Sequence, residues 1–263
     1  MAATFLSSMR TRNADTAADS LHELGFCMFP PLVDAEIVER CRTAARPLLD
    51  AMLQRAERFL RMYHGRDWRT SVALQFQELY ARTTYEQRFD FVVPCDEATS
   101  PWAALLAAVD PIVRPVLCRS TELFPDGDDS IRVEAVGCVL SLPGAPEQSW
   151  HPDSPDEVGL VNVFVPLLDL TESLGPTALG VRSHRHDGGD GSKPHLAAHN
   201  IVRPLIRAGG LLIFDWRLWH RGGANTGTSE RPVAYITYAR RGVEGTSYKR
   251  GLPSLFGGHA LKQ

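Results

Sequence analysis

The chain has 263 residues, of which 44% are apolar and 22% charged, a balance typical of a globular protein with a substantial core. Its 28 lysines and arginines against 31 aspartates and glutamates give a formal net charge of −3. That charge leaves no basic surplus for binding a nucleic-acid backbone, so we expect a small-molecule partner. The five cysteines are scattered without a CxxC pair, which argues against a disulfide framework and a thiolate zinc site.

The sequence predicts no membrane partner. No apolar run approaches the roughly 20 residues that cross a bilayer, and the N-terminal residues contain no long apolar segment of a secretory signal. We therefore expect a cytoplasmic protein. The Ser-, Thr- and Arg-bearing start, which has no acidic residue before Asp15, leaves a short transit peptide as an alternative. Nothing in the sequence indicates the oligomeric state.

The first part of the chain, residues 1–125, is predicted to form a mainly helical flank. A short apolar segment near its start favours a strand. Asp34 can then cap a helix that begins near Ala35, because the apolar residues that follow recur at helical spacing. Pro47 is expected to kink this helix.

Two further helices are predicted in this flank. One covers residues 70–82, and the other has Ser100 as its cap and a proline at its first position. Between them, residues 88–94 are predicted to be extended. Within that segment we expect Arg88 and Asp90 to form an ordinary ion pair, although either could reach a substrate.

From residue 126 onward the sequence favours strands. Short apolar runs are broken by Gly, Pro and Asn, which is typical of a double-sheet or barrel architecture. The predicted strands are 131–142, 158–170, 199–206, 209–215 and 232–241. We therefore expect one α+β domain over 1–263, with a jelly-roll core over 126–241 and a C-terminal tail over 242–263.

The segment after the first of these strands contains two candidate metal ligands, His151 and Asp153. Residues at i and i+2 on an extended segment project to the same side, so an imidazole nitrogen and a carboxylate oxygen can occupy adjacent positions on one metal. This pair alone is a weak signal. A surface turn stabilised by Asp153 explains it as well.

The candidate third ligand is His220, which follows an apolar run and is expected at the end of a late strand. A buried histidine bonded to a backbone carbonyl would explain it equally well in isolation. Arg231 lies eleven residues further on and opens the next predicted strand. If the two strands pair antiparallel, His220 and Arg231 face the same interior.

Together these residues indicate a specific chemistry. Two imidazoles and one carboxylate on one face of a metal leave three positions open, as in non-haem Fe(II) oxygenases. A buried arginine can bind the distal carboxylate of 2-oxoglutarate through two hydrogen bonds while the keto acid end chelates the metal.

From about residue 130 to 241 the chain resembles the phytanoyl-CoA dioxygenase family of iron(II)/2-oxoglutarate-dependent oxygenases. The matching pieces are QSWHPD (148–153), LGPTALGVRSH (174–184), DWRLWH (215–220) and RPVAYITY (231–238). The segment 21–38 also resembles the family's entry strand and helix. The resemblance implies a double-stranded β-helix, or jelly roll, as the core.

The resemblance also implies cofactors and site residues. His151, Asp153 and His220 would hold Fe(II), and Arg231 would bind 2-oxoglutarate. Gln148 and Thr177 stand where relatives often place further contacts to this cosubstrate. The implied reaction oxidises a small organic substrate with O2 and releases succinate and CO2. Because Asp153 is present, where halogenating relatives have a small residue, we expect hydroxylation or a related oxidation.

This sequence departs from the family pattern at two places. The usual Pro-Gly-Ser-His is Val-Arg-Ser-His at 181–184, which puts the geometry of that loop in question. A hydroxyl often found two residues after the distal histidine is replaced by Gly222, so we expect Arg231 to carry more of the cosubstrate binding.

Two alternatives remain open. A cupin-like metalloenzyme would use His184 and His186 and no 2-oxoglutarate, and a non-catalytic jelly roll would bind a ligand and keep the triad without turnover. Against the first alternative, we expect the histidine-bearing segment 184–199 to be a solvated loop.

Overall fold

The structure is a computed structural model that describes residues 13–65, 73–82, 87–97, 99–154, 156–185, 196–245 and 251–256. The helices in this part of the chain are α1 (Ala14–Leu24), α2 (Ala35–His64) and α3 (Pro101–Arg119). The strands are β1 (Phe26–Phe29), β2 (Leu79–Ala81), β3 (Arg88–Val92), β4 (Ile131–Ser141), β5 (Leu160–Pro166), β6 (Thr177–Gly180), β7 (Ile201–Val202), β8 (Leu211–Asp215), β9 (His220–Gly222) and β10 (Arg231–Arg240).

The strands form two antiparallel sheets. The large sheet has the order β1-β8-β5-β10-β4-β3-β2, and the small sheet has the order β7-β6-β9. Apolar side chains of the small sheet, Leu179 and Val202, pack in one buried cluster with Leu212 and Phe214 of the large sheet. The fold is therefore the α+β jelly roll with N-terminal helices that the sequence predicts.

The helix caps also agree with the sequence. The Asp34 carboxylate accepts a hydrogen bond from the Glu36 N–H at the start of α2, and the Ser100 hydroxyl accepts one from Trp102 at the start of α3. Helix α2 continues past Pro47 to His64.

Helix α3 is, among the described helices, the one that is long and apolar enough to cross a membrane by length and composition. Its buried side chains belong to the main core cluster. They are Trp102, Leu105, Val109, Val113, Val116 and Leu117. Packing against the other helices and the large sheet therefore accounts for the apolar character of α3.

The flank contains both strands that the sequence predicts, β1 near its start and β3 within the extended segment 88–94, and also β2, which was not predicted. It contributes β1, β2 and β3 to the large sheet, and β1 and β2 form that sheet's two edges. β1 pairs with β8 and β3 pairs with β4, each more than 40 residues away in sequence, whereas β2 pairs with its neighbour β3.

The helix predicted over 70–82 is wrong for the described part, 73–82. This segment turns back on itself: Phe76 N–H donates to Leu79 O at 2.7 Å, and Ala81 N–H donates to Leu74 O at 2.9 Å. Leu74 and Phe76 are buried and alternate with glutamines, which is a strand period of two. Pairing of β2 with β3 stabilises this hairpin-like arrangement.

The described segment 251–256 of the C-terminal tail packs against the N-terminal flank. Leu255 is buried, and its N–H donates to the Glu78 carboxylate at 2.8 Å. The Gln77 N–H donates to Pro253 O at 3.1 Å. This part of the tail therefore closes over β2, the edge strand of the large sheet.

Gly137 in the large sheet leaves space for the side chain of Tyr235. Gly137 on β4 is the direct partner of Tyr235 on β10, and a Cβ at Gly137 would lie 2.3 Å from the Tyr235 ring. We therefore expect Gly137→Ala to lower the free energy of unfolding by about 1–3 kcal/mol, the usual cost of overpacking. Urea denaturation measures this loss. In a protein that also carries Tyr235→Ala, Gly137→Ala should lower the free energy of unfolding by little. An equal loss with and without Tyr235→Ala would contradict the steric explanation.

Candidate metal centre

The two candidate histidine ligands are held opposite each other by their backbones. The His151 N–H donates to His220 O at 3.0 Å, and the His220 N–H donates to His151 O at 2.9 Å. This isolated bridge adds His151 to the edge of the small sheet beside β9. The imidazole rings consequently lie with their centroids 4.7 Å apart.

Hydrogen bonds orient both rings for metal binding. Nδ1 of His151 lies 2.8 Å from Ser149 O, and Nδ1 of His220 lies 2.9 Å from Leu218 O. Because a carbonyl oxygen only accepts, each Nδ1 carries the proton and each Nε2 keeps a lone pair for a metal. Burial, followed by the neighbouring His220, lowers the pKa of His151 to about 4, so this ring is neutral at pH 7.

Asp153 completes the cluster. Its N–H donates to Trp216 O at 2.9 Å, which fixes the residue beside the turn that precedes His220. Its Oδ1 lies 3.8 Å from Nε2 of His220, and one ligand atom from each of the three residues lies within 4.8 Å of the others. Two nitrogens and one carboxylate oxygen at this spacing fit a ferrous ion with open coordination positions.

The six candidate ligands and cosubstrate contacts all line one cavity between the sheets. They are His151, Asp153, His220, Arg231, Gln148 and Thr177. The metal ligands and the candidate cosubstrate contacts therefore share one chamber.

His220 and Arg231 line one cavity, as expected, but the predicted pairing of their two strands is wrong. They were expected on two paired strands, but β9 belongs to the small sheet and β10 to the large sheet. The two residues therefore line the cavity from different sheets and are not on neighbouring strands of one sheet. The turn between β8 and β9, where Leu218 N–H donates to Asp215 O, carries the chain from one sheet to the other.

Arg231 is buried at one end of this cavity. Its Nη1 donates to Leu174 O at 3.2 Å and its Nη2 to the Ser141 hydroxyl at 2.9 Å, while its buried Nε has no partner within the described part of the chain. Burial, and then the charge of Arg88, lower the pKa of Arg231 to about 9.

A second buried arginine adjoins Arg231. Nε of Arg88 donates to the same Ser141 hydroxyl at 2.8 Å, and its Nη2 donates to Gly223 O at 2.7 Å. A Cβ at Gly222 would lie 3.1 Å from Nη1 of Arg88, so this guanidinium partly fills the space left by the family's missing hydroxyl. We call Arg88, Ser141 and Arg231 the cationic corner.

The cationic corner holds two positive charges, and no carboxylate of the described residues forms an ion pair with either guanidinium. A buried, uncompensated charge is costly, and two adjacent ones are more so. The corner is therefore suited to a carboxylate or another anion. The ion pair expected between Arg88 and Asp90 is wrong, since Asp90 pairs with Arg82.

Gln148 and Thr177 flank β9. The Gln148 side-chain oxygen accepts a hydrogen bond from the Gly222 N–H at 2.9 Å. Thr177 opens β6 and is the direct strand partner of Gly222. Both side chains line the cavity near the residue that replaces the family's hydroxyl. Their contact with a cosubstrate stays a prediction.

Another wall of the cavity carries polar groups from the large sheet. The Tyr235 hydroxyl donates to Asp90 Oδ1 at 2.8 Å, and the Arg82 guanidinium donates to Asp90 Oδ2. All three residues line the cavity. Asp90, Tyr235 and Arg82 form the polar wall. Asp90 was a possible substrate contact from the sequence, but its contacts with Arg82 and Tyr235 were not indicated, because the three residues come from separate strands or strand ends.

His184 is not in a solvated loop, contrary to the expectation for this segment. It is buried and lies against Gly25, and its Nε2 is 3.0 Å from His22 O. It lines a different cavity and is absent from the three-residue cluster found among the described residues. His186, His195 and the side chain of His199 lie outside the described residues.

The loop that departs from the family pattern still supports the site. Arg182 stands at the glycine position of the usual Pro-Gly-Ser-His and has a φ of 67°, a left-handed conformation that glycine adopts more readily. Ser183 keeps its hydroxyl, which accepts from the Trp219 N–H at 2.9 Å and donates to Gly180 O at 2.6 Å. The residue before His220 is therefore tied to β6.

Comparison with known proteins agrees with this architecture. The phytanoyl-CoA dioxygenase (PhyH) family profile matches residues 21–233. Among curated relatives, the dioxygenase hkm4 of Aspergillus hancockii is 35% identical over 122 residues, 41% of this chain and 37% of that protein. The dioxygenase easH of Epichloe festucae var. lolii is 31% identical over 93 residues, 32% of this chain and 49% of that protein. The aligned segments thus span less than half of either relative's length.

Solved structures with lower sequence identity share the fold. The non-heme alpha ketoglutarate dependent epimerase SnoN from nogalamycin biosynthesis is 18% identical, with a TM-score of 0.57 over 86% of this chain and 82% of SnoN. AviO1 from Streptomyces viridochromogenes Tue57 is 19% identical, with a TM-score of 0.52 over 89% of this chain and 97% of AviO1. Because the family profile spans most of the chain and includes the candidate metal ligands, the chain belongs to the phytanoyl-CoA dioxygenase family.

Proposed function

We propose that this chain is an Fe(II)- and 2-oxoglutarate-dependent dioxygenase that hydroxylates, or otherwise oxidises, a small organic substrate. One juxtaposition carries the proposal: the His151–Asp153–His220 cluster and the uncompensated cationic corner line or adjoin the same cavity. A dicarboxylic keto acid has a chelating end for the metal and a carboxylate end for the arginines. A metal site alone would not require the cationic corner.

Each residue has a defined part in this reaction. His151 and His220 present Nε2 to the metal while their Nδ1–H groups stay bonded to backbone carbonyls. Arg231 receives the distal carboxylate, and the charge of Arg88 adds to the positive potential there. The enclosing sheets limit access of water to the reacting atoms.

Bound iron would let 2-oxoglutarate and the substrate each supply two electrons to O2, giving succinate, CO2 and an oxidised substrate. The solved relatives in this fold include an epimerase and a carbocyclase, so the same cofactors serve more than one outcome. We favour hydroxylation or a related oxidation over halogenation, because Asp153 would take the coordination position that a halide needs. The polar wall lies beside the apolar side chains of Val139 and Phe164, which suits a small substrate with both polar and apolar parts.

Succinate formation tests the proposal. Purified protein with Fe(II), 2-oxoglutarate and ¹⁸O₂ should form succinate slowly alone and faster with an accepted substrate, and one ¹⁸O atom should appear in each succinate. Mass spectrometry measures both the amount and the label. A non-catalytic jelly roll would bind metal but form no succinate, and a cupin-like enzyme would oxidise substrate without 2-oxoglutarate.

A further inference from the structure

A buried polar side chain stands directly behind the metal cluster. Asn162 lies on β5, where the neighbouring residues are apolar, and its side chain is buried and lines the cavity. Asparagine is disfavoured in strands, and an amide buried without hydrogen bonds costs free energy. Its contacts must therefore account for its presence.

Both ends of the Asn162 amide are bonded. Its Nδ2 donates to Asp153 Oδ2 at 2.8 Å, and its Oδ1 accepts from the Thr237 hydroxyl at 2.6 Å. Thr237 is the direct partner of Asn162 on β10 and is also buried. Turning the amide over would place its oxygen against the carboxylate oxygen of Asp153, so Asp153 selects the orientation of the amide. The Thr237 hydroxyl then holds the other end of the amide in place.

This chain of hydrogen bonds distinguishes the two carboxylate oxygens of Asp153. Oδ1 faces Nε2 of His220 at 3.8 Å, whereas Oδ2 accepts from Asn162 on the other side. A metal held by both histidines is therefore reached by Oδ1. If Oδ2 also bound the metal, it would take a coordination position that the cosubstrate or O2 needs.

We propose that Asn162, held in place by Thr237, is a positioning residue that holds Asp153 as a one-oxygen metal ligand and keeps the remaining positions open. The inference rests on the proposed function, since it assigns a role toward the same metal. It concerns residues that contact the ligand carboxylate and not the metal itself. Loss of such a supporting hydrogen bond typically weakens metal binding by about 10- to 100-fold.

Two nearly isosteric substitutions and one conservative change test this role. Asn162→Leu removes the donor to Asp153, Thr237→Val removes the hydroxyl that holds the amide oxygen, and Thr237→Ser keeps that hydroxyl. The dissociation constant of Fe(II) is measured anaerobically for each variant without 2-oxoglutarate. The thermal midpoint of each metal-free protein is recorded beside it, so that misfolding is separated from a change at the metal.

We expect Asn162→Leu to weaken Fe(II) binding by about 10- to 100-fold. Thr237→Val should give a smaller loss in the same direction, and Thr237→Ser should stay close to wild type. If the Asn162→Leu variant misfolds, the comparison of Fe(II) affinity between Thr237→Val and Thr237→Ser decides the result. Wild-type affinity in both Asn162→Leu and Thr237→Val would overturn this inference alone, whereas a wild-type protein that binds no Fe(II) would overturn the proposed function as well.

Discussion

Asp153→Ala is expected to weaken Fe(II) binding by more than about 100-fold, because loss of a ligand exceeds the cost of losing a supporting residue. The substitution removes the only carboxylate of the His151–Asp153–His220 cluster. Substrate-dependent succinate formation should fall to the background level. Anaerobic Fe(II) titration and a succinate assay measure the two effects.

This experiment is done in chloride-free buffer, because a halide can take the coordination position that the carboxylate leaves. Asp126→Ala is the matched control, since Asp126 is an exposed carboxylate away from the cavity. It should bind iron and turn over as wild type does. Substantial succinate formation by Asp153→Ala would contradict the assignment of Asp153 as a ligand.

Arg231→Leu is expected to weaken 2-oxoglutarate binding by about 100-fold, since truncating one partner of a buried charge pair costs about 2–5 kcal/mol. The arginine is buried at the cationic corner, and its Nε has no protein partner there within the described residues. The affinity for Fe(II) without 2-oxoglutarate should stay near the wild-type value. The concentration of 2-oxoglutarate that half-saturates the iron-loaded protein measures the effect.

Arg203→Leu serves as the control, because Arg203 is exposed and does not line the cavity. Its half-saturating concentration should match wild type. Arg231→Lys tests geometry, since lysine keeps the charge but lacks the planar pair of donors, and it should recover only part of the affinity. An Arg231→Leu variant that binds 2-oxoglutarate as tightly as wild type does would contradict the assignment of Arg231 and place the distal carboxylate elsewhere.

The candidate metal ligands could be predicted from the sequence because their pattern is local. His151 and Asp153 are two residues apart, and the apolar runs before His220 and after Arg231 indicate strands that border one interior. The family resemblance joined these pieces. The structure brings all of them to one cavity, although the strands of His220 and Arg231 belong to different sheets.

The cationic corner could not be predicted, because it depends on contacts between distant segments. Arg88 lies in the flank and Ser141 at the end of β4, 53 residues later, and they meet only when β3 pairs with β4. Asp90, two residues after Arg88, suggested an ordinary ion pair between these two residues instead. Strand register, which places Arg88 opposite Ser141, decides the outcome.

The sequence around Asn162 contains a signal of a buried polar contact. Asn162 is the one strongly polar residue in the apolar strand β5, and a polar residue in such a strand requires a buried partner. The helix predicted over 70–82 failed for a related reason. Leu74 and Phe76 alternate with glutamines at a period of two, and that alternation favours extended structure over a helix.

The central claim is that the three ligands and the cationic corner act on one bound metal and one keto acid. Anaerobic titration of the metal-free protein with Fe(II) and then 2-oxoglutarate tests it most directly, because the chelate has a weak visible charge-transfer band. We predict that the band appears in the wild-type protein and is lost in His220→Ala. Absence of the band in a wild-type protein with iron demonstrably bound would contradict the claim.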